Sequence, residues 1–147
     1  MRIMRCESNA ASVRELVLLS ESSGLHVLIL SFPAVSNMTL AELRFAYYFA
    51  KESFLSKTNL SEKKSNEALL FLSCQTNFTS AVMKIGAKNP SDFVLVMEEN
   101  AFDPKFRKAL KIARAKKIKL PEWGKKIGHY TQGELAVERM ALARNKN

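Results

Sequence analysis

The chain has 147 residues, enough for one domain that buries roughly 70% of its unfolded surface without a disulfide or metal staple. Hydrophobic residues make up 47% of it and charged residues 25%, which excludes an intrinsically disordered chain. The net charge of +9 is the unusual property, and it favours an anionic partner.

The positive charge is concentrated in residues 105–126, which we call the basic strip. The strip holds ten basic residues and one acidic residue, Glu122, whereas the rest of the chain has 13 of each sign. A solvated surface helix is the common explanation for such a segment, but surface helices usually mix both signs. The imbalance favours nucleic acid or another acidic partner over a membrane surface, because the strip lacks a broad apolar face.

Cysteine content and apolar runs indicate a cytoplasmic protein. Cys6 and Cys74 are widely spaced and form no CxxC pair, so neither a disulfide framework nor a zinc site is expected. No long apolar segment follows Arg2 and Arg5, so we expect no signal peptide. The apolar runs are too short to span a membrane, and no membrane association is expected.

In the first half of the chain, periodicity predicts two strands and two helices. The strands are residues 1–6 and 26–32. The helices begin at capping boxes that start with Ser12 and Thr39, each followed three residues later by a glutamate. Apolar residues at helical spacing extend the second helix over 40–54.

The second half continues with mixed elements. They are, in order, helices over 67–74 and 78–85, a buried strand over 93–97, a helix beginning at Asp103-Pro104, an edge strand over 117–120 with one basic face, and a final helix beginning at the capping box Thr131–Glu134. The apolar stripe of the helix from Asp103 is formed by Phe102, Phe106, Leu110 and Ala113. Because strands and helices do not alternate strictly, the sequence predicts a single α+β domain over residues 1–147, with a small mixed or antiparallel sheet packed with several helices.

No motif specifies a reaction, a metal or a cofactor, and we expect none of the three. His26 and His129 have no carboxylate or thiol at a telling spacing, so His26 is interpreted as structural. Cys74 is a nucleophile in principle, but a buried helical cysteine is the favoured interpretation because an apolar run precedes it. Trp123 fits two roles equally, a base-stacking ring or part of a packed turn.

One segment carries a family signature. Residues 72–88 read Leu-Ser-Cys-Gln-Thr-Asn-Phe-Thr-Ser-Ala-Val-Met-Lys-Ile-Gly-Ala-Lys. This segment resembles the Ser-Gly-x-x-Gln-Ile-x-x-Ala-Ile-x-x-x-Gly-Ile/Ala motif of the small kinase-binding subunit of the KEOPS complex, the archaeal relative of the PRPK-binding protein TPRKB. The order of elements is similar over nearly the whole chain, whereas only residues 69–88 match as a motif. Cys74 stands where that family has glycine, and Asn77-Phe78 stands for its Gln-Ile pair.

The resemblance implies a non-catalytic role in tRNA modification. KEOPS makes threonylcarbamoyladenosine beside the anticodon, and its small subunit binds the Bud-type atypical kinase/ATPase subunit and recruits tRNA through the single-stranded 3′ CCA end. Other KEOPS subunits would be indirect partners. The residues that the resemblance places at the tRNA tail are Ser73, Gln75, Thr76 and Asn77, with Lys84 and Lys88, one helical turn apart, on the backbone phosphates. Helix capping is an equally weighted alternative for the first four.

The basic strip adds candidates that are independent of the motif. Its candidate RNA-binding residues are Lys108, Lys111, Arg114, Lys117 and Lys119. Two other functions stay open: a protein-interaction subunit that docks an acidic partner through residues 105–126 without binding RNA, and a small enzyme with Cys74 as nucleophile.

Overall fold

Both strands and helices form along the chain, and a computed structural model describes them over residues 1–24, 26–98 and 102–144. The strands are β1 (Arg2–Ser8), β2 (Val27–Leu30), β3 (Phe93–Met97), β4 (Ile112–Lys117), β5 (Lys126–Ile127) and β6 (Tyr130–Thr131). The helices are α1 (Val13–Ser22), α2 (Phe32–Val35), α3 (Leu40–Leu55), α4 (Lys64–Ser73), α5 (Phe78–Ile85), α6 (Pro104–Ala109) and α7 (Gln132–Ala143). The predicted α+β class is confirmed.

Backbone contacts divide the chain into two units. Unit 1 comprises residues 1–35 and 86–119, and unit 2 comprises residues 36–85 and 120–147. Unit 1 carries 12 Lys and Arg against 7 Asp and Glu, and unit 2 carries 11 against 7. Both units are therefore positively charged. The single domain over residues 1–147 stays a prediction.

Unit 1 is built on a four-stranded antiparallel sheet of order β2-β3-β1-β4. Cys6 of β1 lies between Phe93 of β3 and Ala115 of β4, and alternate residues along these strands point to the same face. On that face the sheet packs with α1 and α6 in one apolar cluster whose buried members include Met4, Cys6, Leu16, Phe93, Leu95 and Phe106. The sheet thus leaves β4 as an edge strand.

The predicted end of the α6 helix and the predicted strand over 117–120 are both wrong. The helix ends at Ala109, and Lys111 adopts a left-handed conformation with φ of 53°. The end of β1 draws the chain into the sheet, because the Ser8 hydroxyl donates to the Leu110 carbonyl at 2.7 Å and the Asn9 amide donates to the Lys111 carbonyl at 2.9 Å. Residues 112–117 then pair with β1, so tertiary hydrogen bonds override the helical periodicity.

Unit 2 consists of α3, α4, α5, α7 and the β5–β6 hairpin. Helix α4 contacts the three other helices, and every residue from Glu67 to Ser73 is buried. The predicted capping boxes at Thr39 and Thr131 are both present, so the starts of α3 and α7 are encoded locally.

A buried carboxylate ties this unit together. Glu67 of α4 is 0% exposed, and its Oε1 accepts hydrogen bonds from Arg144 Nη2 at 2.6 Å and Ser53 Oγ at 3.2 Å. Its Oε2 accepts from the amides of Leu60 at 3.0 Å and Ser61 at 2.9 Å. The carboxylate therefore connects α3, the loop before α4 and the end of α7.

Removing the Arg144 partner is expected to destabilise the protein strongly. Arg144→Met leaves a buried carboxylate without its cation, and we expect a loss of about 3 kcal/mol in the free energy of unfolding, measured by urea denaturation. Arg144→Ala should lose more, because it also removes the aliphatic stem of a side chain that is only 17% exposed, whereas methionine keeps that bulk. Glu138→Ala, an exposed position on the same helix, is the control. A loss below about 1 kcal/mol for Arg144→Met would contradict the assignment.

Candidate functional site

The basic strip is solvent-exposed along its length. All ten of its Lys and Arg residues are exposed, eight in unit 1 and two, Lys125 and Lys126, in unit 2. The unit 1 residues are Lys105, Arg107 and Lys108 on α6, Lys111 after it, Arg114, Lys116 and Lys117 on β4, and Lys119 beyond the strand. The strip is therefore a helix, an edge strand and part of a hairpin, not one continuous helix.

The edge strand presents cations on both faces of the sheet. Arg114 and Lys116 are two residues apart and share a face, whereas Lys117 lies on the other face, opposite Met4 of β1. Lys116 lies opposite Arg5, whose guanidinium Nε donates to Asp92 Oδ1 at 2.9 Å. The arginine charge in this strand pair is therefore already compensated by a carboxylate.

Some strip residues already have acidic neighbours. Lys111 Nζ lies 2.8 Å from Glu15 Oε1, and this contact holds the pKa of the Glu15 carboxyl below its usual value. Arg114 Nε lies 3.9 Å from Glu7 Oε2, with 83% of the arginine side chain exposed. Exposed pairs contribute little to stability, so both arginine and lysine can exchange these carboxylates for phosphates.

Residues 72–88, which carry the motif-like sequence, form the end of α4, a turn and the helix α5. Helix α4 ends at Ser73, and the next residue, Cys74, caps it with a left-handed backbone of φ 56° and ψ 35°. The Gln75 amide donates back to the Leu70 carbonyl at 3.0 Å. Asn77 then starts α5, because its Oδ1 accepts a hydrogen bond from the Ser80 amide at 3.0 Å. The interpretation of Cys74 as a buried helical residue is wrong, since it is half-buried and lies outside α4.

The residues that the resemblance assigns to the tRNA tail differ in exposure. Ser73 is buried and its hydroxyl donates to the Leu70 carbonyl at 3.2 Å, whereas Thr76 and Asn77 are exposed and Gln75 is half-buried. Ser73 and Asn77 thus make the helix-terminal hydrogen bonds that the helix-capping alternative predicts. Their contact with RNA stays a prediction.

The two lysines of this segment have different positions. Lys84 of α5 folds back on α4, and its Nζ donates to the Ser73 carbonyl at 2.8 Å. Helix α5 ends at Ile85, so Lys88 lies beyond it and the two are not one turn apart on a helix. Lys88 is exposed. Lys84 is thus held against the end of α4.

A cavity of about 400 Å³ opens beside this turn within unit 2. Cys74 and Lys84 contribute to its wall from α4 and α5, and Arg139 and Glu42 contribute from α7 and α3. The apolar part of the wall is formed by Leu72, Ala136, Met140, Leu142 and Ala143. The cavity therefore combines two cations with an apolar surface.

Glu42 is the acidic exception in this wall. Burial raises the pKa of its carboxyl, although hydrogen bonds from the Thr39 amide and hydroxyl and the charge of Arg139 oppose the shift. The sequence does not reveal Glu42 and Arg139 as cavity residues. Glu42 fits the pattern of a helix cap and Arg139 that of an exposed helix position, and no local pattern predicts that α3 and α7 lie side by side.

The residues considered for catalysis are dispersed. His26 and His129 are both exposed, and His26 precedes β2 instead of lying within it. Burial raises the pKa of the Cys6 thiol to about 12. Within residues 1–24, 26–98 and 102–144, no three His, Cys, Asp or Glu side chains converge as metal ligands.

Comparison with models of known protein families and with curated proteins finds no match for this chain. Among the helices in the described part of the chain, none has the length and apolar character needed to cross a membrane.

The left-handed residue at the turn provides a stability test. Cys74→Gly should stabilise the protein by about 0.5–1 kcal/mol, because glycine adopts positive φ without the steric cost of a Cβ atom. Cys74→Ala is the matched control, since it removes the thiol but keeps the Cβ, and it should give no such gain. Chemical denaturation measures both. Equal stabilities for the glycine and alanine variants would contradict the conformation at residue 74.

Proposed function

We propose that the protein is a non-catalytic, cytoplasmic accessory subunit of a KEOPS-type tRNA-modification complex, which binds the Bud-type kinase subunit and recruits tRNA through its 3′ CCA end. The observation that carries the proposal is the turn after α4. The residue at the motif's glycine position, Cys74, has a left-handed backbone, which is the conformation that glycine favours. A sequence motif and an independent backbone requirement thus coincide at one residue.

The cavity beside the turn supports a tRNA tail as the ligand. Lys84 and Arg139 supply positive charge for phosphates, and the exposed Leu142 side chain supplies an apolar contact for an unstacked base. The exposed hydroxyl of Thr76 and amide of Asn77 lie on the turn that also carries Cys74. Single-stranded ends are the part of an RNA whose bases can enter such a cavity.

The basic strip supports a second, less specific contact with the body of the tRNA. Lys108 on α6, Lys117 on β4 and Lys119 beyond that strand are all exposed. Lysine side chains neutralise phosphates without reading sequence, and each contact releases counterions. The strip would raise affinity for any tRNA, whereas the cavity would recognise the tail. No cofactor or metal is part of this proposal.

Tail recognition is tested with tRNA lacking its 3′ CCA. We expect the truncated tRNA to bind at least tenfold more weakly in a filter-binding assay, because the cavity then has no ligand. Lys84→Met should weaken intact tRNA about tenfold and leave the truncated tRNA unaffected. Lys63→Met, an exposed lysine outside the cavity, is the matched control. Equal binding of intact and truncated tRNA would refute tail recognition.

The contribution of the strip is tested by charge reversal. The triple variant Lys108→Glu, Lys117→Glu and Lys119→Glu should weaken all tRNAs to a similar degree and make the slope of log K against log salt shallower by about 2 to 3. The control is Lys57→Glu, Lys63→Glu and Lys64→Glu, which changes the net charge equally outside the strip. Similar losses in both triples would show that net charge matters and the strip does not.

The second candidate function is a protein-interaction subunit whose strip docks an acidic partner. The exposed cations of the strip, such as Lys116 on β4, can pair with the carboxylates of a protein as well as with phosphates. Two results together would select this candidate: the protein co-purifies with the kinase subunit, and the triple charge-reversal variant of the strip keeps its tRNA affinity.

A further inference from the structure

Unit 2 carries a cluster of aromatic rings that the proposed tail site does not use. We call Phe45, Tyr48, Phe49 and Trp123 the aromatic platform. The ring centroid of Phe45 lies 6.4 Å from Trp123, 6.0 Å from Tyr48 and 6.0 Å from Phe49. Tyr48 is 52% exposed and Trp123 is 42% exposed, so the platform combines packed rings with ring surface open to solvent.

The turn that holds Trp123 is fixed by backbone hydrogen bonds. The Leu40 and Ala41 amides at the start of α3 donate to the Pro121 and Glu122 carbonyls at 2.9 and 3.0 Å. These bonds satisfy helix N-terminal amides that have no partner within the helix. Gly133 donates its amide to the Trp123 carbonyl at 2.7 Å, and a Cβ atom at Gly133 would lie 3.1 Å from Trp123 Cε3. The indole is therefore positioned before any ligand arrives.

Cations alternate with the exposed rings. Arg44 lies four residues before Tyr48 on α3 and Lys51 three residues after it, so all three share one side of the helix. Along the axis the cations lie roughly 6 Å and 4.5 Å from the tyrosine. Arg44 Nη1 lies 3.3 Å from Glu122 Oε1 in an exposed ion pair, which is weak enough to exchange for a phosphate.

We propose that the aromatic platform is a stacking surface for unpaired RNA bases, with Arg44 and Lys51 binding the flanking phosphates. Rings interleaved with cations match the chemistry of a single strand, in which each base is followed by a phosphate. Protein interfaces are also enriched in aromatic residues and arginine but are depleted of lysine, so Lys51 is the feature that favours a phosphate. The inference rests on the proposed function in taking RNA as the partner, but it concerns a surface distinct from the tail cavity and needs no CCA sequence.

The single tryptophan makes the test direct, because Trp123 is the only indole in the chain. The probe is an unstructured oligouridine that lacks CCA, titrated while the intrinsic fluorescence is recorded. Stacking on the platform should quench the fluorescence, and Tyr48→Ala should weaken binding by about 5- to 100-fold. Tyr130→Ala on β6, which is 56% exposed and outside the platform, is the matched control and should bind as the unmodified protein does.

Two further variants separate loss of stacking from loss of folding. Tyr48→Leu keeps apolar bulk on α3 while removing the ring, and it should lose affinity while its denaturation midpoint stays near that of the unmodified protein. Arg44→Gln with Lys51→Gln should retain quenching at saturation but make the salt dependence shallower, because phosphate contacts are lost.

The outcomes distinguish this inference from the proposed function. The platform is overturned if oligouridine causes no quenching, or if it binds the Tyr48 variants as tightly as the unmodified protein. This holds even where intact tRNA still binds better than tailless tRNA. Quenching that Tyr48→Leu abolishes supports the platform even where tail removal has no effect. A Tyr48→Leu variant that loses only the kinase subunit in co-purification, with unchanged oligouridine binding, assigns the platform to a protein and overturns the inference.

Discussion

The carboxylate of Glu67 is the constraint on which unit 2 depends. A glutamate with 0% exposure must be fully hydrogen-bonded, because an isolated buried charge is far too costly. Its four donors come from Ser53, from the Leu60 and Ser61 amides, and from Arg144, which lie on α3, the loop before α4 and the end of α7. The Glu67 side chain therefore holds the first turns of α4 against α3, the preceding loop and the end of α7.

The candidate site follows from that placement. With α4 fixed, its left-handed end at Cys74 sets the direction of the turn and of α5, and α5 carries Lys84 back to the Ser73 carbonyl. The end of α7 is held by the same carboxylate, and Arg139 of α7 lines the same cavity as Lys84. The buried ion pair therefore holds together the elements that carry the candidate cavity.

Local signals predicted some parts well and others wrongly, for physical reasons. The capping boxes at Thr39 and Thr131 depend only on residues three apart, and both exist. Strand β3 is an apolar run buried on both faces, and its bounds match the predicted 93–97. The periodicity up to Ala113 predicts a helix where the chain forms β4, because it does not reveal that Ser8 and Asn9 bind the carbonyls of Leu110 and Lys111.

The sequence by itself determined the fold class, the capping boxes that start α3 and α7, and the excess of positive charge. Each of these depends on composition or on neighbours within one helical turn. Only the tertiary structure decided that Glu42 and Arg139 join Lys84 around one cavity, that the strip is a helix followed by an edge strand, and that Trp123 packs on α3. These features depend on residues far apart in the chain, which buried hydrogen bonds and packing bring together and which no local pattern encodes.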